Sequence, residues 1–68
     1  PMNIRIDEQH LSVAMAKAGM NCTQLADCSG VSRATISNIN SGKRCMPNVV
    51  SKIARALDVE VEYLVKKG

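Results

Sequence analysis

Residues 22–42, CTQLADCSGVSRATISNINSG, decide the fold of this 68-residue chain. They predict two short helices joined by a tight turn at Gly30, where the chain needs backbone freedom to reverse. Ala26 allows the two helices to cross closely, and the spacing of Ile36 and Ile39 directs one face of the second helix inward. The opposite face carries small polar and basic side chains. The stretch therefore predicts a helix-turn-helix over about residues 22–41.

Capping residues mark where the first three helices begin. Asp7, Asn21 and Ser32 are favourable N-caps, and Gln24 completes a capping-box pattern with Asn21. Because the same capping pattern occurs at three helix starts, the sequence predicts a bundle of short helices. An apolar pair in hydrophobic-staple spacing brackets each cap, and these pairs are Ile6 with Leu11, Met20 with Leu25, and Val31 with Ile36.

Glycine, proline and aspartate mark the other helix boundaries. Gly19 is predicted to end the first helix and Gly42 the third, while Pro47 begins a fourth helix that ends at Asp58. A short fifth helix is predicted over residues 60–66, and residues 2–6 are interpreted as an extended arm. The predicted fold class is all-α, a compact five-helix bundle that forms a single domain over residues 1–68. The side chains expected to face the core are Leu11, Ala14, Met15, Ala18, Leu25, Ala26, Ile36, Ile39, Val49, Val50, Ile53, Ala54, Leu57, Val61, Leu64 and Val65.

The composition argues against several kinds of site. Tyr63 is the only aromatic residue, which disfavours binding of single-stranded nucleic acid by base stacking. Cys22, Cys28 and Cys45 form no C-x-x-C pair, and His10 lies far from them in sequence. We therefore predict no metal site, no disulfide framework and no cofactor, and we expect free thiols in a reducing cytosol.

The length and the termini limit the class of protein. A domain of this size buries only about 60% of the surface that its unfolded chain exposes, so a monomer is expected to be marginally stable. The sequence shows no signal peptide, lipidation motif or long apolar run, which favours a soluble cytoplasmic protein without a membrane partner. No small-molecule ligand is evident. Pro1 is interpreted as a residue added ahead of the natural Met2.

Basic residues are concentrated in the middle of the chain, whose net charge is +3. Residues 31–57 contain no acidic residue, whereas both flanks are close to neutral. This block coincides with the second helix of the helix-turn-helix and the loop after it, which favours contact with the phosphates of double-stranded DNA. Its basic residues are Arg33, Lys43, Arg44, Lys52 and Arg55.

Five short motifs resemble one family in their order and spacing. They are N-x-x-Q-L-A at 21–26, G-V-S-R-A-T-I-S at 30–37, I-x-S-G-K-R at 39–44, K-I-A-R-A-L-D-V at 52–59 and V-E-Y-L at 61–64. On these motifs the chain resembles the Cro/repressor (XRE-type) helix-turn-helix family of phage and bacterial regulators. The resemblance implies a lambda-repressor-like DNA-binding domain whose third helix enters the major groove, in a protein encoded by a bacterium or a phage.

Three features depart from the family pattern. Cys22 occupies a position where glutamine is common and contacts the DNA backbone, and Ser29 occupies a position that is usually apolar. Asn40 and Ser41 precede the glycine at the end of the third helix, where glutamate and asparagine are common. These departures concern the phosphate contacts near the second helix and leave the fold prediction unchanged.

The outer face of the third helix carries the candidates for reading DNA bases. Arg33 can donate two parallel hydrogen bonds to O6 and N7 of guanine, and Asn38 can pair in two ways with adenine. Ala34 can place its methyl group against that of thymine, and Ser37 can bond to either kind of base edge. The alternative is a solvated helix face, or for Arg33 a phosphate contact.

A second set of residues is predicted to contact the DNA backbone and so to position the domain. Lys43 and Arg44 lie in a basic loop, and amides at helix N-termini attract phosphate through the helix dipole. Lys52 and Arg55 are interpreted as solvated charges. The predicted backbone contacts are Asn21, Ser32, Asn40, Ser41, Lys43 and Arg44.

The resemblance also implies that two copies bind an inverted repeat with half-sites about one helical turn apart. It locates the contact between copies near the fourth and fifth helices, where Val59, Val61, Tyr63 and Val65 are candidates. The alternative for Val61 and Val65 is that they complete the core of one copy. Val59 and Tyr63 are therefore predicted at a homodimer interface, which suits a lone aromatic with a polar tip.

Sequence-specific DNA binding by a transcriptional regulator, in particular a repressor, is the leading hypothesis. The alternatives are an adaptor that binds proteins through the same surface, and non-specific nucleic-acid binding. An adaptor surface usually has more apolar or aromatic anchors. An enzyme is not predicted, because no paired carboxylates or Cys–His arrangement is evident. A redox switch through Cys22 or Cys45, if they face the DNA, is a further hypothesis.

Overall fold

The computed structural model describes residues 4–67 and contains five helices in that range. Helix α2 packs against α3 and α4, and α4 also packs against α1 and α5. The predicted five-helix bundle is confirmed. Within residues 4–67 no helix is both long and apolar enough to cross a membrane. The helices are α1 (Glu8–Ala18), α2 (Cys22–Ser29), α3 (Arg33–Asn40), α4 (Pro47–Leu57) and α5 (Val61–Leu64).

The three predicted N-caps make the expected hydrogen bonds. The Asp7 carboxylate accepts from the backbone amides of Gln9 and His10 at 2.9 and 3.1 Å. Asn21 and Gln24 form the reciprocal capping box, with both bonds at 2.8 Å. At the start of α3, the hydroxyl of its N-cap serine accepts from the amide of the third helical residue at 3.2 Å. The starts of α1, α2 and α3 are therefore set locally, by side chains that satisfy otherwise unpaired amides.

The predicted ends of the first four helices are also confirmed, with one adjustment at α3. Gly19 and Gly30 follow α1 and α2 in the left-handed conformation. Asp58 ends α4 in the same conformation, with φ 57° and ψ 47°, which a short polar side chain tolerates. Helix α3 ends at Asn40, two residues before Gly42, so Gly42 belongs to the loop that follows rather than to the helix end.

A single apolar core lies between the helices. Ala18 was expected to face it but is exposed, because it is the last residue of α1 and lies where the chain leaves the helix. Met15, Ala26, Val49, Val61 and Val65 are only partly buried against this core. The buried residues are Ile6, Leu11, Ala14, Leu25, Val31, Ile36, Ile39, Cys45, Val50, Ile53, Ala54, Leu57 and Leu64.

The N-terminal arm pairs with the loop between α3 and α4. The amide of Ile4 donates to the Cys45 carbonyl at 3.1 Å, and the amide of Cys45 donates to the Ile4 carbonyl at 2.8 Å. This antiparallel bridge confirms the extended arm from Ile4 onward. Pro1 and Met2 lie outside the described residues, so the interpretation of Pro1 and the first part of the arm are not addressed by the structure.

The fifth helix is shorter than predicted. It spans Val61–Leu64, and Val65 is extended rather than helical, with φ −72° and ψ 128°. Val65 pairs with Ile6 in a second antiparallel bridge, and the amide of Lys66 donates to the Arg5 carbonyl at 2.8 Å. The prediction of helix through residue 66 was wrong, because hydrogen bonding to the arm replaces the last helical turn.

Candidate nucleic-acid interface

The turn between α2 and α3 is short and internally hydrogen-bonded. Gly30 adopts φ 76°, and its amide donates to the Ala26 carbonyl at 3.0 Å. The Ser29 hydroxyl accepts from the amide of Val31 at 3.2 Å. A polar residue at position 29 is therefore explained, because its hydroxyl satisfies an amide of the turn.

Helix α3 separates a buried face from an exposed one. Ile36 and Ile39 are 0% and 1% exposed and fix the rotation of the helix about its axis. Because that rotation is fixed, one group of exposed side chains always points away from the core. We call this group the α3 face; it consists of Arg33, Ala34, Ser37 and Asn38, the four residues predicted to read bases.

The guanidinium of Arg33 reaches across to α2. Its Nη1 donates to the Thr23 hydroxyl at 2.9 Å. Arginine has five N–H donors in a fixed plane, so this bond orients the group and uses only one of them. Sequence reasoning missed Thr23, because the contact depends on how α2 and α3 cross rather than on spacing along one helix.

The side chains predicted to contact the DNA backbone fall into two groups. Asn21 and Ser32 act as helix caps through their side-chain oxygens. Ser41 uses both its donors inside the helix: its hydroxyl bonds to the Ser37 carbonyl at 3.0 Å, and its amide also donates to that carbonyl. The Asn40 amide lies 4.0 Å from the Cys22 thiol, which brings those two departures from the family pattern together. The second group, Lys43 and Arg44, lies exposed in the α3–α4 loop.

The loop that carries Lys43 has a fixed backbone. The amide of Gly42 donates to the Ile39 carbonyl and that of Lys43 to the Asn38 carbonyl, both at 3.0 Å. Beyond the loop, Met46 is 46% exposed and borders a cleft of about 300 Å³ between α3 and α4. The basic side chains are therefore presented from an ordered loop beside the α3 face.

Electrostatics at the helix starts favour an anion on this side of the molecule. Helices α2, α3 and α4 contain no acidic residue in their first turns, and the caps of α2 and α3 are uncharged. Helix α1 differs, because it has Asp7 as its cap and Glu8 in its first turn. The partial positive charge at the N-termini of α2, α3 and α4 is therefore not neutralised by local carboxylates.

The cysteines differ in accessibility. Cys45 is buried, and burial raises the pKa of its thiol. Cys45 lies at the bottom of the cleft between α3 and α4, so its thiol is poorly accessible and the redox hypothesis for this residue is disfavoured. Cys22 is half-buried and Cys28 exposed, and all three are free thiols. Among residues 4–67 no group of three or more potential ligands could hold a metal ion.

The predicted dimer residues lie on a different face. Tyr63 is 36% exposed, and its ring stacks on His10 with centroids 4.5 Å apart. The Nδ1 atom of His10 lies 2.6 Å from the Tyr63 carbonyl oxygen, while Val59 is half-buried. Val13, 44% exposed on α1, was not singled out in the sequence. A groove of about 270 Å³, which we call the α1/α5 groove, is lined by Ala14, Lys17, Val59, Glu60 and Tyr63.

Comparison with known proteins independently supports the helix-turn-helix fold. A solved structure of a mutant hydroxyethylphosphonate dioxygenase contains a similar fold, with a TM-score of 0.82 and 25% identity over 94% of this chain. The chain spans 14% of that enzyme's chain, so the likeness concerns one part of a much larger protein. No curated protein matches the chain. The family model for the Cro/C1-type HTH DNA-binding domain matches residues 10–66, and the chain therefore belongs to this family of helix-turn-helix DNA-binding domains.

Proposed function

We propose that this domain is a sequence-specific transcriptional regulator, most simply a repressor that occludes a promoter by binding double-stranded DNA. The observation that carries the proposal is the α3 face, which is exposed as a unit while Ile36 and Ile39 fix the helix from the other side. A rigidly held outer helix of this kind fits the major groove. Family membership supports DNA binding as such.

Within this proposal, Arg33 is the main base-reading residue. Its contact with Thr23 holds the guanidinium at the start of α3, so less side-chain freedom is lost when two donors bind guanine. Asn38, Ala34 and Ser37 would read neighbouring bases from the next turn of the helix. Each good bidentate contact is worth about 1–3 kcal/mol of discrimination against the wrong base.

The DNA backbone would be held from two sides of the α3 face. Lys43 and Arg44 approach phosphate from the α3–α4 loop, while the N-terminus of α2 approaches it with its first backbone amides and the side chain of Asn21. The proposed backbone set remains Asn21, Ser32, Asn40, Ser41, Lys43 and Arg44. Of these, Lys43 and Arg44 supply the charge, and the polar residues supply position. Ser41 would have to exchange the bond from its hydroxyl to the Ser37 carbonyl for one to phosphate.

We also propose that two copies bind an inverted repeat together and that they contact each other through the α1/α5 groove. The groove is lined mostly by apolar surface, and the exposed Val13 directly precedes Ala14 of this lining on α1. It also holds one cation, Lys17, and one anion, Glu60, which form no ion pair with each other in the described part of the chain. In a two-fold contact, Lys17 of each copy can face Glu60 of the other, which makes the surface self-complementary.

Selection of bound duplexes from a random-sequence pool, at a salt concentration near physiological, tests the proposed function. An enriched inverted repeat is expected, because each copy reads one half-site. Enrichment of a single half-site would support base reading and reject the dimer. Recovery of no sequence above background would reject sequence-specific regulation and favour the adaptor hypothesis, in which the same surface binds a protein.

A further inference from the structure

The α3–α4 loop rests directly against two side chains from the N-terminal part of the chain. At Gly42 the backbone adopts φ 91°, a conformation that favours glycine. A Cβ atom built on this residue would lie 3.0 Å from Nη2 of Arg5 and 3.4 Å from Oε2 of Glu8. The two side chains therefore occupy the space that any larger residue at position 42 would need.

Arg5 and Glu8 are held in place by each other. Nη2 of Arg5 lies 3.1 Å from Oε2 of Glu8, and this is the ion pair found within residues 4–67. The Nε atom of Arg5 is buried and has no hydrogen-bond partner, an arrangement that is unfavourable for the arginine alone. The position of the guanidinium is therefore explained by its contacts with Glu8 and Gly42 rather than by complete hydrogen bonding.

The same arm fixes the other end of the loop. Ile4 forms the two backbone hydrogen bonds with Cys45 that hold the loop where it enters α4. Lys43 and Arg44 thus lie between two fixed points, Gly42 and Cys45. Because a fixed backbone reduces the entropy lost on binding, such a loop presents its basic side chains more effectively than a mobile one.

We propose that the Arg5–Glu8 pair is a positioning element for DNA binding, which supports the α3–α4 loop at Gly42 and so directs Lys43 toward a phosphate. The pair is neutral as a whole, so it acts through geometry rather than through added positive charge. The inference rests on the proposed function, because it assigns a role to residues that support a DNA contact. It makes the N-terminal arm part of the binding apparatus.

The double variant Arg5→Ala/Glu8→Ala tests the proposal, because it removes the support without changing the net charge. We expect weaker binding to all duplexes alike, and a slope of log K against log salt that is smaller by about one unit, as for loss of one phosphate contact. The matched control is Asp27→Ala/Arg55→Ala, which removes one exposed acid and one exposed base elsewhere. The control should leave the salt slope unchanged.

Amide hydrogen exchange in the absence of DNA gives a second readout. The amides of Gly42 and Lys43 should exchange faster in the Arg5/Glu8 double variant, while those of α2 keep their protection. If thermal melting shows that this variant does not fold, Glu8→Gln replaces it, with the same expected direction at Lys43. An uncharged side chain at this position should hold Arg5 more weakly, so the loop should still become more mobile.

The outcomes separate this inference from the proposed function. An unchanged salt slope together with unchanged exchange at Gly42 and Lys43 would overturn the positioning role, even if the wild-type domain binds DNA. Faster exchange at these amides with no sequence-specific binding by the wild type would instead reject the proposed function while supporting the mechanical contact. A smaller slope and faster exchange, both absent from the control variant, would support the inference.

Discussion

The α3 face and the α1/α5 groove present opposite chemistry on one small domain. The α3 face is polar, adjoins the basic residues Lys43 and Arg44, and lies beside helix starts that lack carboxylates. The α1/α5 groove is mostly apolar and has the stacked rings of Tyr63 and His10 at its edge. This difference is the reason why we propose the α3 face for DNA and the α1/α5 groove for a second copy of the chain.

The acidic residues sharpen this comparison. Asp7 and Glu8 accept hydrogen bonds from backbone amides at the start of α1. The bond from the His10 amide is the main cause that lowers the pKa of the Asp7 carboxyl group, and the bond from the Glu8 amide is the main cause that lowers the pKa of the Glu8 carboxyl group. At the starts of α2 and α3 the same task is done by Asn21 and Ser32, which carry no charge. A carboxylate at those two positions would repel phosphate. At the start of α1 the charge of Glu8 is instead balanced by its ion pair with Arg5.

The largest effect is expected from Arg33 on the α3 face. Arg33→Ala should lose about 1–3 kcal/mol of discrimination at one base position, because a bidentate contact is lost. Arg33→Lys should lose most of that discrimination while keeping its charge, since an ammonium group cannot form the planar two-bond contact. Binding to duplexes that vary one position at a time measures this. Equal losses at all positions would show that Arg33 contacts the backbone.

Lys43 should behave differently from Arg33. Lys43→Ala is expected to weaken binding to all sequences alike and to reduce the salt slope by about one unit, because one phosphate contact is lost. The control is Arg55→Ala, which removes a positive charge from an exposed position on α4. Titrations at several salt concentrations measure both slopes. A loss confined to one preferred sequence would contradict the division between reading and positioning residues.

A variant of Tyr63 tests the proposed contact between copies at the α1/α5 groove. Tyr63→Ala removes the ring that stacks on His10, a contact of the kind worth about 0.5–1.5 kcal/mol. Affinity for an inverted repeat should fall, whereas affinity for a single half-site should remain close to that of the wild type. Tyr63→Phe, which keeps the ring, serves as the control. Equal losses on the two duplexes would mean that Tyr63 supports the monomer rather than a contact between copies.

The smallest effect concerns the stability of α1 in acid. The folded state lowers the pKa of Asp7, so its carboxylate stabilises the fold above the unfolded pKa of about 3.9 and loses this effect as pH falls through the folded pKa. Asn is also a good N-cap but does not titrate there. Asp7→Asn should therefore show a weaker fall in melting temperature below about pH 4. Parallel pH profiles for both proteins would contradict the assignment.

Much of the fold was predictable because its signals are local. The capping box of Asn21 and Gln24 and the turn at Gly30 are defined within a few residues, so spacing alone identified them. The end of α5 was not predictable in this way, because Val65 leaves the helix to pair with Ile6. A partner more than 50 positions away along the chain overrides the local preference.

In the candidate site, too, contacts between residues far apart along the chain were not predictable. The residues of the α3 face were identifiable because Ile36 and Ile39 fix which side of the helix is outward. The contact of Arg33 with Thr23 and the support of Gly42 by Arg5 were not, since each joins elements whose relative position exists only in the folded chain. Side chains that orient other side chains are therefore the part of the site that sequence spacing leaves out.

Amide chemical-shift mapping on a half-site duplex tests the central claim most directly. A single half-site binds one copy, so any contact between copies is excluded from the signal. We predict that shifts are concentrated at the N-terminus of α2, along α3 and in the α3–α4 loop through Lys43 and Arg44, with little change around Val13, Val59 and Tyr63. Shifts concentrated at the α1/α5 groove instead, with α3 unperturbed, would contradict the account.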